Sequence, residues 1–409
     1  MTLPGLTTRG TVFAVAGVAA AVLALILGYP DITRIGVFLA ALPVLSVLTS
    51  LRRTPHLAVR RTVSPAVLHP EEEALVRVEV RNTGRRTSLP FVAEEALDDV
   101  LGPPPAFLLP ALPPGGEHVV TYRVRPGRRG VYRIRSLGVE LEDPFGLSRS
   151  RFALGHAAEF LVLPRVHPLG ALRLGRPGDA GEWPVPRGVA PQGDDDVSTR
   201  PYHHGDDLRR VHWPATAHRG ELMVRQEERP ARRRATLVLD GRASAHRGRG
   251  LASSFEWAVS AVASAAVHLA AAGWSLSLVT AETVREGTAG HVRDLESVLR
   301  ELALAGLHPG DLEPVLRAAR EVPAGAVVAA VADDVAAGRL LPARPRGADG
   351  VLLLLDTATF DGVAPAGRAE DAAHRAPGAG WRAAPVHAGD GVAAAWRRAV
   401  AAAPLVVAP

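Results

Sequence analysis

The chain has 409 residues, 47% hydrophobic and 22% charged, which leaves room for two or three packed domains and excludes global disorder. It contains no cysteine, so disulfide frameworks, zinc–thiolate sites and cysteine nucleophiles are excluded. The net charge of +5 is small for this length and every basic residue is an arginine, so the pI near 10.4 owes part of its height to the lack of lysine and does not point to nucleic acid.

Two uncharged apolar runs open the chain, TVFAVAGVAAAVLALIL at 11–27 and IGVFLAALPVLSVLTSL at 35–51. Each is roughly 17 residues, about 25 Å as helix, near the short end for crossing a bilayer. They predict a hairpin of transmembrane helices over about 11–28 and 35–51. Pro30 is expected to stop the first and Pro43 to kink the second. Arg9 precedes the hairpin and Arg52, Arg53, Arg60 and Arg61 follow it, while Arg34 in the turn is offset by Asp31. The positive-inside rule then puts both ends, and the globular remainder, in the cytoplasm at the cell membrane.

From 56 to 165 the pattern changes to period-2 alternation, as in ALVRVEVRN (74–82), HVVTYRVRP (118–126) and GVYRIRSLGVELED (130–143). Proline-rich loops separate these runs. Short strands with frequent turns predict an antiparallel β-sandwich, immunoglobulin-like, acting as a spacer or interaction module.

The stretch 166–232 reads as a linker leading into a charged segment, GDDDVSTRPYHHGDDLRRVHWPATAHRGELMVRQEERP. Three readings compete for that segment. His203, His204, Asp206, Asp207, His212 and His218 have the chemistry of metal ligands but no recognised ligand spacing, which leaves a metal-dependent hydrolase as the alternative function. The arginines, with Tyr202 and Trp213, could contact nucleic acid, but carboxylates are interleaved among them. The third reading is an Arg–carboxylate network that shapes a protein-facing surface. In it Asp206 orients Arg209, and Trp213 buries its ring beneath them.

Arg200, Tyr202, Gly205, Asp206, Arg209, Val211, Trp213, Ala217, Leu222, Val224, Arg225 and Glu228 follow a spacing that resembles the signature of domain-of-unknown-function family 58. His212 and His218 depart from it, with Arg219 directly after the second. Upstream, RRGVY at 128–132 and DPFGL at 143–147 also resemble that family. The resemblance implies a membrane-anchored protein with a von Willebrand factor A-like domain. It further implies co-operation with a MoxR-type AAA+ ATPase, often beside a transglutaminase-like membrane protein.

Residues 233–409 alternate strand and helix patterns, predicting an α/β domain with a mainly parallel sheet. Strands at 235–240, 274–280, 326–332, 350–356 and 381–386 and a last helix at 390–403 carry the pattern. Ser253 and Glu256 predict a capping box. Acids end two strands, Asp240 and the pair Asp333 and Asp334. The run Asp240-Gly241-Arg242-Ala243-Ser244 resembles the D-x-S-x-S opening of a von Willebrand A metal-ion-dependent adhesion site, with Arg242 in place of the middle serine. That exchange removes an oxygen ligand and adds a positive charge, so Mg²⁺ binding through Asp240, Ser244, Asp333 and Asp334 is expected to be weak or absent. No serine elbow, Walker loop or dinucleotide fingerprint occurs. The chain therefore reads as a non-enzymatic, membrane-tethered interaction protein without a cofactor.

Overall fold

A computed structural model describes residues 5–51, 56–170, 199–202, 211, 213–225, 233–333, 348–365 and 367–402. The chain divides into two compact units, Met1–Arg165 with Leu302–Leu304, and Val166–Glu301 with Ala305–Pro409.

The first unit begins with the helices Thr8–Leu27 and Pro30–Leu51, both long and apolar enough to cross a membrane. The Thr7 side chain caps the first by accepting the Gly10 N–H at 3.1 Å. Gly28, in the left-handed region at φ 77°, ends it. Pro30 does not stop the first helix as expected; it is the first residue of the second, where its missing N–H costs nothing. The helices approach closely because their facing residues are small. A Cβ on Gly17 would stand 2.5 Å from the Ala40 nitrogen, and one on Gly36 2.5 Å from that of Ala21. Leu25, Ile26 and Phe38 point outward at 72%, 75% and 64% exposure, an apolar surface that only lipid or another apolar partner solvates well.

Three sheets, antiparallel but for one short pairing, lie in the same unit. One joins Leu57–Ser64, Ala74–Asn82 and Glu117–Val124. A five-stranded sheet runs Gly5–Leu6, Ser148–Leu154, Leu137–Glu142, Phe91–Glu95 and Ala106–Leu109. The third pairs Val67–Leu68 and Gly130–Ile134 with Ala158–Val162; its Val67–Leu68 pairing is parallel. The alternation read in Ala74–Asn82 has its physical cause here. Ala74, Val76, Val78 and Val80 point into one core with Phe91, Ile134, Leu137, Val139 and Phe160. Each fully buried side chain of Val or Leu size contributes roughly 1.5–3 kcal/mol.

Both motifs upstream of the charged segment are structural. Tyr132 stacks on Phe160 with ring centroids 5.5 Å apart and donates to the Arg128 carbonyl at 2.9 Å. In the DPFGL turn, Asp143 accepts the N–H groups of Phe145 at 3.1 Å and Ser148 at 2.6 Å, and Leu147 is buried. The same turn receives the start of the first helix, Thr7 donating its N–H to the Leu147 carbonyl at 3.0 Å. Ser46 and Ser50 of the second helix meet Ser148 at 2.6 and 2.8 Å.

Arg61, read as a flanking charge, is buried against Glu95 instead. Its Nε lies 2.9 and 3.1 Å from the two carboxylate oxygens, and its Nη1 donates to the His156 carbonyl at 2.8 Å. Burial pushes the Glu95 carboxyl above the ordinary carboxylate range, and the Arg61 guanidinium offsets only part of that rise.

The second unit is built on a six-stranded sheet ordered Val292–Arg293, Ser275–Val279, Arg234–Leu239, Ala326–Ala332, Asp349–Leu355 and Trp381–Val386. All pairings are parallel except the short edge strand. These strands are apolar throughout because helices cover both faces. Val238, Val327, Val331 and Leu352 pack under the helices Glu313–Glu321 and Arg368–Arg375. Period-2 geometry sends the alternate residues to the other side, where Ser254–Ala271 and Val392–Ala401 lie, with His268 edge-on to Trp396 at 5.8 Å. Ser254–Ala271 is apolar enough for a span, but it is largely buried as this covering helix. Ser260 and Ser264 are buried; Ser264 Oγ donates to the Ser260 carbonyl at 2.6 Å and accepts the His167 N–H at 2.9 Å. Of the expected capping box, Ser253 accepts the Glu256 N–H at 3.2 Å.

Candidate functional site

The sheet order reverses between Arg234–Leu239 and Ala326–Ala332, and in doubly wound sheets ligands bind at the carboxyl ends of strands beside such a reversal. Asp240 follows one of these strands and Asp333 the other. A third acid, Asp356, follows Asp349–Leu355 and was not marked from sequence. The strand ends hold these residues inside: Asp240 and Asp356 are fully buried and Asp333 nearly so.

Asp240 is closed over by its own loop. Arg242 Nε donates to Asp240 Oδ1 at 3.0 Å and Nη2 to Oδ2 at 2.7 Å, a bidentate pair. Two main-chain donors join them, Arg242 N–H to Oδ1 at 3.1 Å and Ala332 N–H to Oδ2 at 3.3 Å. The loop is fixed from both sides. His308 donates its N–H to the Gly241 carbonyl and accepts from Ala243, both at 2.9 Å. His246, missed from sequence, is buried with Nε2 2.8 Å from the Asp240 carbonyl and Nδ1 2.9 Å from Ser254 Oγ. Only the spacing of an HR dipeptide before the Ser253 cap could have hinted at it.

The other members of the expected adhesion site are not gathered around Asp240. Ser244 is exposed, and its carbonyl accepts from Arg247 at 2.7 Å. Asp333 Oδ1 accepts from the Thr357 N–H and hydroxyl, both at 3.2 Å, and Oδ2 pairs with Arg368 Nε at 3.3 Å. Asp334 lies outside the described residues. A Mg²⁺ ion needs several free oxygens in a near-octahedral shell. With a guanidinium across both oxygens of Asp240, these residues do not fit that ion.

The described part of the charged segment holds two short strands and a short helix. Thr199–Pro201 pairs antiparallel with Met223–Arg225, placing Arg200 opposite Val224, and the helix Trp213–Arg219 lies between them. Tyr202 donates its N–H to the Leu222 carbonyl at 2.8 Å, and Val211 bridges to Val224. Val211, Met223 and Val224 are buried, while His218 and Arg219 are exposed. His203, His204, Gly205, Asp206, Asp207, Arg209, His212 and Glu228 lie outside the described residues, and of Arg200 and Arg225 the backbone alone is described.

Trp213 corrects the sequence reading. Its ring was expected beneath the network, yet the residue is 67% exposed. It is the first residue of the helix Trp213–Arg219.

Residues 198–376 match the family described as "Protein of unknown function DUF58". No curated protein matches the sequence. Among solved structures, the Pseudomonas fluorescens alkylpurine DNA glycosylase AlkC bound to DNA is 19% identical over 32% of this chain and 39% of its own, with a TM-score of 0.21. The CARDB domain of the PF1109 protein from Pyrococcus furiosus, in complex with di-metal ions, is 22% identical over 26% of this chain and 91% of its own, with a TM-score of 0.19. Likenesses this partial carry no functional argument. The matched span covers less than half of the chain and runs from the paired strands of the charged segment through the acids at the ends of three parallel strands, the same region whose residues resemble that family in the sequence.

Proposed function

We propose that this chain is a non-enzymatic, membrane-tethered interaction protein. Its α/β unit is von Willebrand factor A-like and recognises a partner without a cation at Asp240. Its antiparallel unit is an immunoglobulin-like spacer, and both lie on the cytoplasmic side. The partner is a MoxR-type AAA+ ATPase, with a transglutaminase-like membrane protein as a further companion, in the assembly or maturation of an envelope or membrane complex. One observation carries this reading: the Arg242 guanidinium occupies, at 2.7–3.0 Å, both oxygens of the carboxylate a cation would need. The doubly wound strand order and the acids at its reversal support the von Willebrand assignment. The ATPase and its companion rest on the family resemblance alone.

Capture from membranes tests the partner. The full-length chain, crosslinked with ATP present, is expected to retain an AAA+ ATPase, and recovery without any such ATPase under crosslinking would overturn that assignment. Orientation is tested separately. Protease added outside intact spheroplasts is expected to spare everything after residue 56, and digestion there would reverse the topology.

A further inference from the structure

A second cluster lies on the same edge of the α/β sheet, two strands beyond the reversal. Asp356 follows the strand Asp349–Leu355, His387 follows the adjacent strand Trp381–Val386, and Glu370 sits on the helix Arg368–Arg375. Parallel pairing in register, Leu355 opposite Val386, brings the residues after the two strands side by side. The Asp356 N–H donates to the Val386 carbonyl at 2.8 Å and fixes them there. One donor atom from each of the three side chains lies within 4.8 Å of the others. His387 Nε2 and Glu370 Oε1 are 2.7 Å apart.

We propose that Asp356, Glu370 and His387 form a three-ligand site for a divalent transition-metal ion of the zinc type. Two carboxylates and one imidazole are a borderline donor set, which favours such ions over Mg²⁺ or Ca²⁺. Three further features fit. Glu370 Oε2 is shielded from solvent and takes no hydrogen bond among the described residues, and a buried carboxylate oxygen calls for a donor or a cation. Asp390 stands behind the histidine, accepting the His387 N–H at 3.0 Å with its Oδ2 3.8 Å from Nδ1. That main-chain bond fixes the backbone of His387 beside Glu370, whose Oε1 already meets Nε2. The arginines nearby are committed elsewhere, Arg368 to Asp333 and Arg398 to Asp390 at 2.6 Å. Glu370 and His387 are each about one-third exposed, which gives an ion a route in, while Asp356 closes the site from below. Three protein ligands leave at least one coordination position for water or an incoming oxygen ligand. This inference does not depend on the partner assignment above.

The test uses full-length protein in detergent, purified without a histidine tag, stripped with chelator, loaded with Zn²⁺ and desalted. Metal analysis is expected to find about one zinc per chain in the wild type, with at least ~10-fold weaker retention in His387→Asn and Glu370→Gln. Glu370→Gln keeps the size of a partly exposed side chain, and circular dichroism checks that it is folded. Loading with Co²⁺ is expected to give visible absorption bands in the wild type that both variants lose. A wild type that retains no zinc overturns the proposal. So does a folded Glu370→Gln that keeps its zinc and its Co²⁺ bands, since the ion is then held elsewhere.

Discussion

Among the described residues, each unit buries an arginine–carboxylate pair, Arg61–Glu95 among the antiparallel strands and Arg242–Asp240 in the α/β unit. The chemistry is alike and the settings differ. Glu95 has Arg61 as its side-chain donor among the described bonds, and its carboxyl is pushed up by burial. Asp240 keeps two main-chain N–H donors besides its arginine, and it stands at a sheet reversal where ligands bind. A buried ion pair is weak evidence for function by itself. The two pairs thus differ in their setting: one lies within a β-layer, the other at the carboxyl end of a strand beside the sheet's reversal.

The largest expected effect tests the first pair. Arg61→Ala strands a fully buried carboxylate, and about 3–5 kcal/mol of stability is expected to go. Thermal melts of the solubilised full-length chain measure it; a loss under ~1 kcal/mol would show that Glu95 finds another donor. The loss is also expected to depend on pH. Folded Glu95 binds its proton more tightly than unfolded Glu95, so its contribution is complete below the ordinary value of 4.5 and falls as pH rises through the raised value. Removing Arg61 carries that window upward, so Arg61→Ala is expected to melt closer to wild type near pH 4.5 than near pH 8. Equal losses at both would contradict the burial argument.

Arg242→Ala is expected to cost less, about 1–3 kcal/mol, because the N–H groups of residues 242 and 332 remain on Asp240. A cost matching that of Arg61→Ala would erase the distinction between the two pairs. Smallest of all is Trp213→Ala. With the ring 67% exposed, the melt is expected to shift by no more than about 0.5 kcal/mol. A loss of ~3 kcal/mol would restore the buried position first read from sequence.

Most of the scaffold was legible because its signals are local. Period-2 alternation gave Ala74–Asn82 and apolar runs gave Ala326–Ala332 at their observed limits. The site was legible only where its residues are neighbours in the chain, as Asp240 and Arg242 are. Asp356, Glu370 and His387 are separated by 14 and 17 positions, and only parallel pairing in register brings them together. Arg61 misled for the opposite reason. Its place after an apolar run looked like a membrane flank, whereas the partner that buries it, Glu95, comes 34 residues later.

The closed state of Asp240 is tested most directly by calorimetric titration of Mg²⁺ into the full-length protein and into Arg242→Ser. The wild type is expected to show no saturable binding at millimolar Mg²⁺. Arg242→Ser, which frees both carboxylate oxygens and restores a hydroxyl to the loop, is expected to bind more tightly. Micromolar affinity in the wild type would contradict the account, because an ion would then be displacing the guanidinium that is held to exclude it.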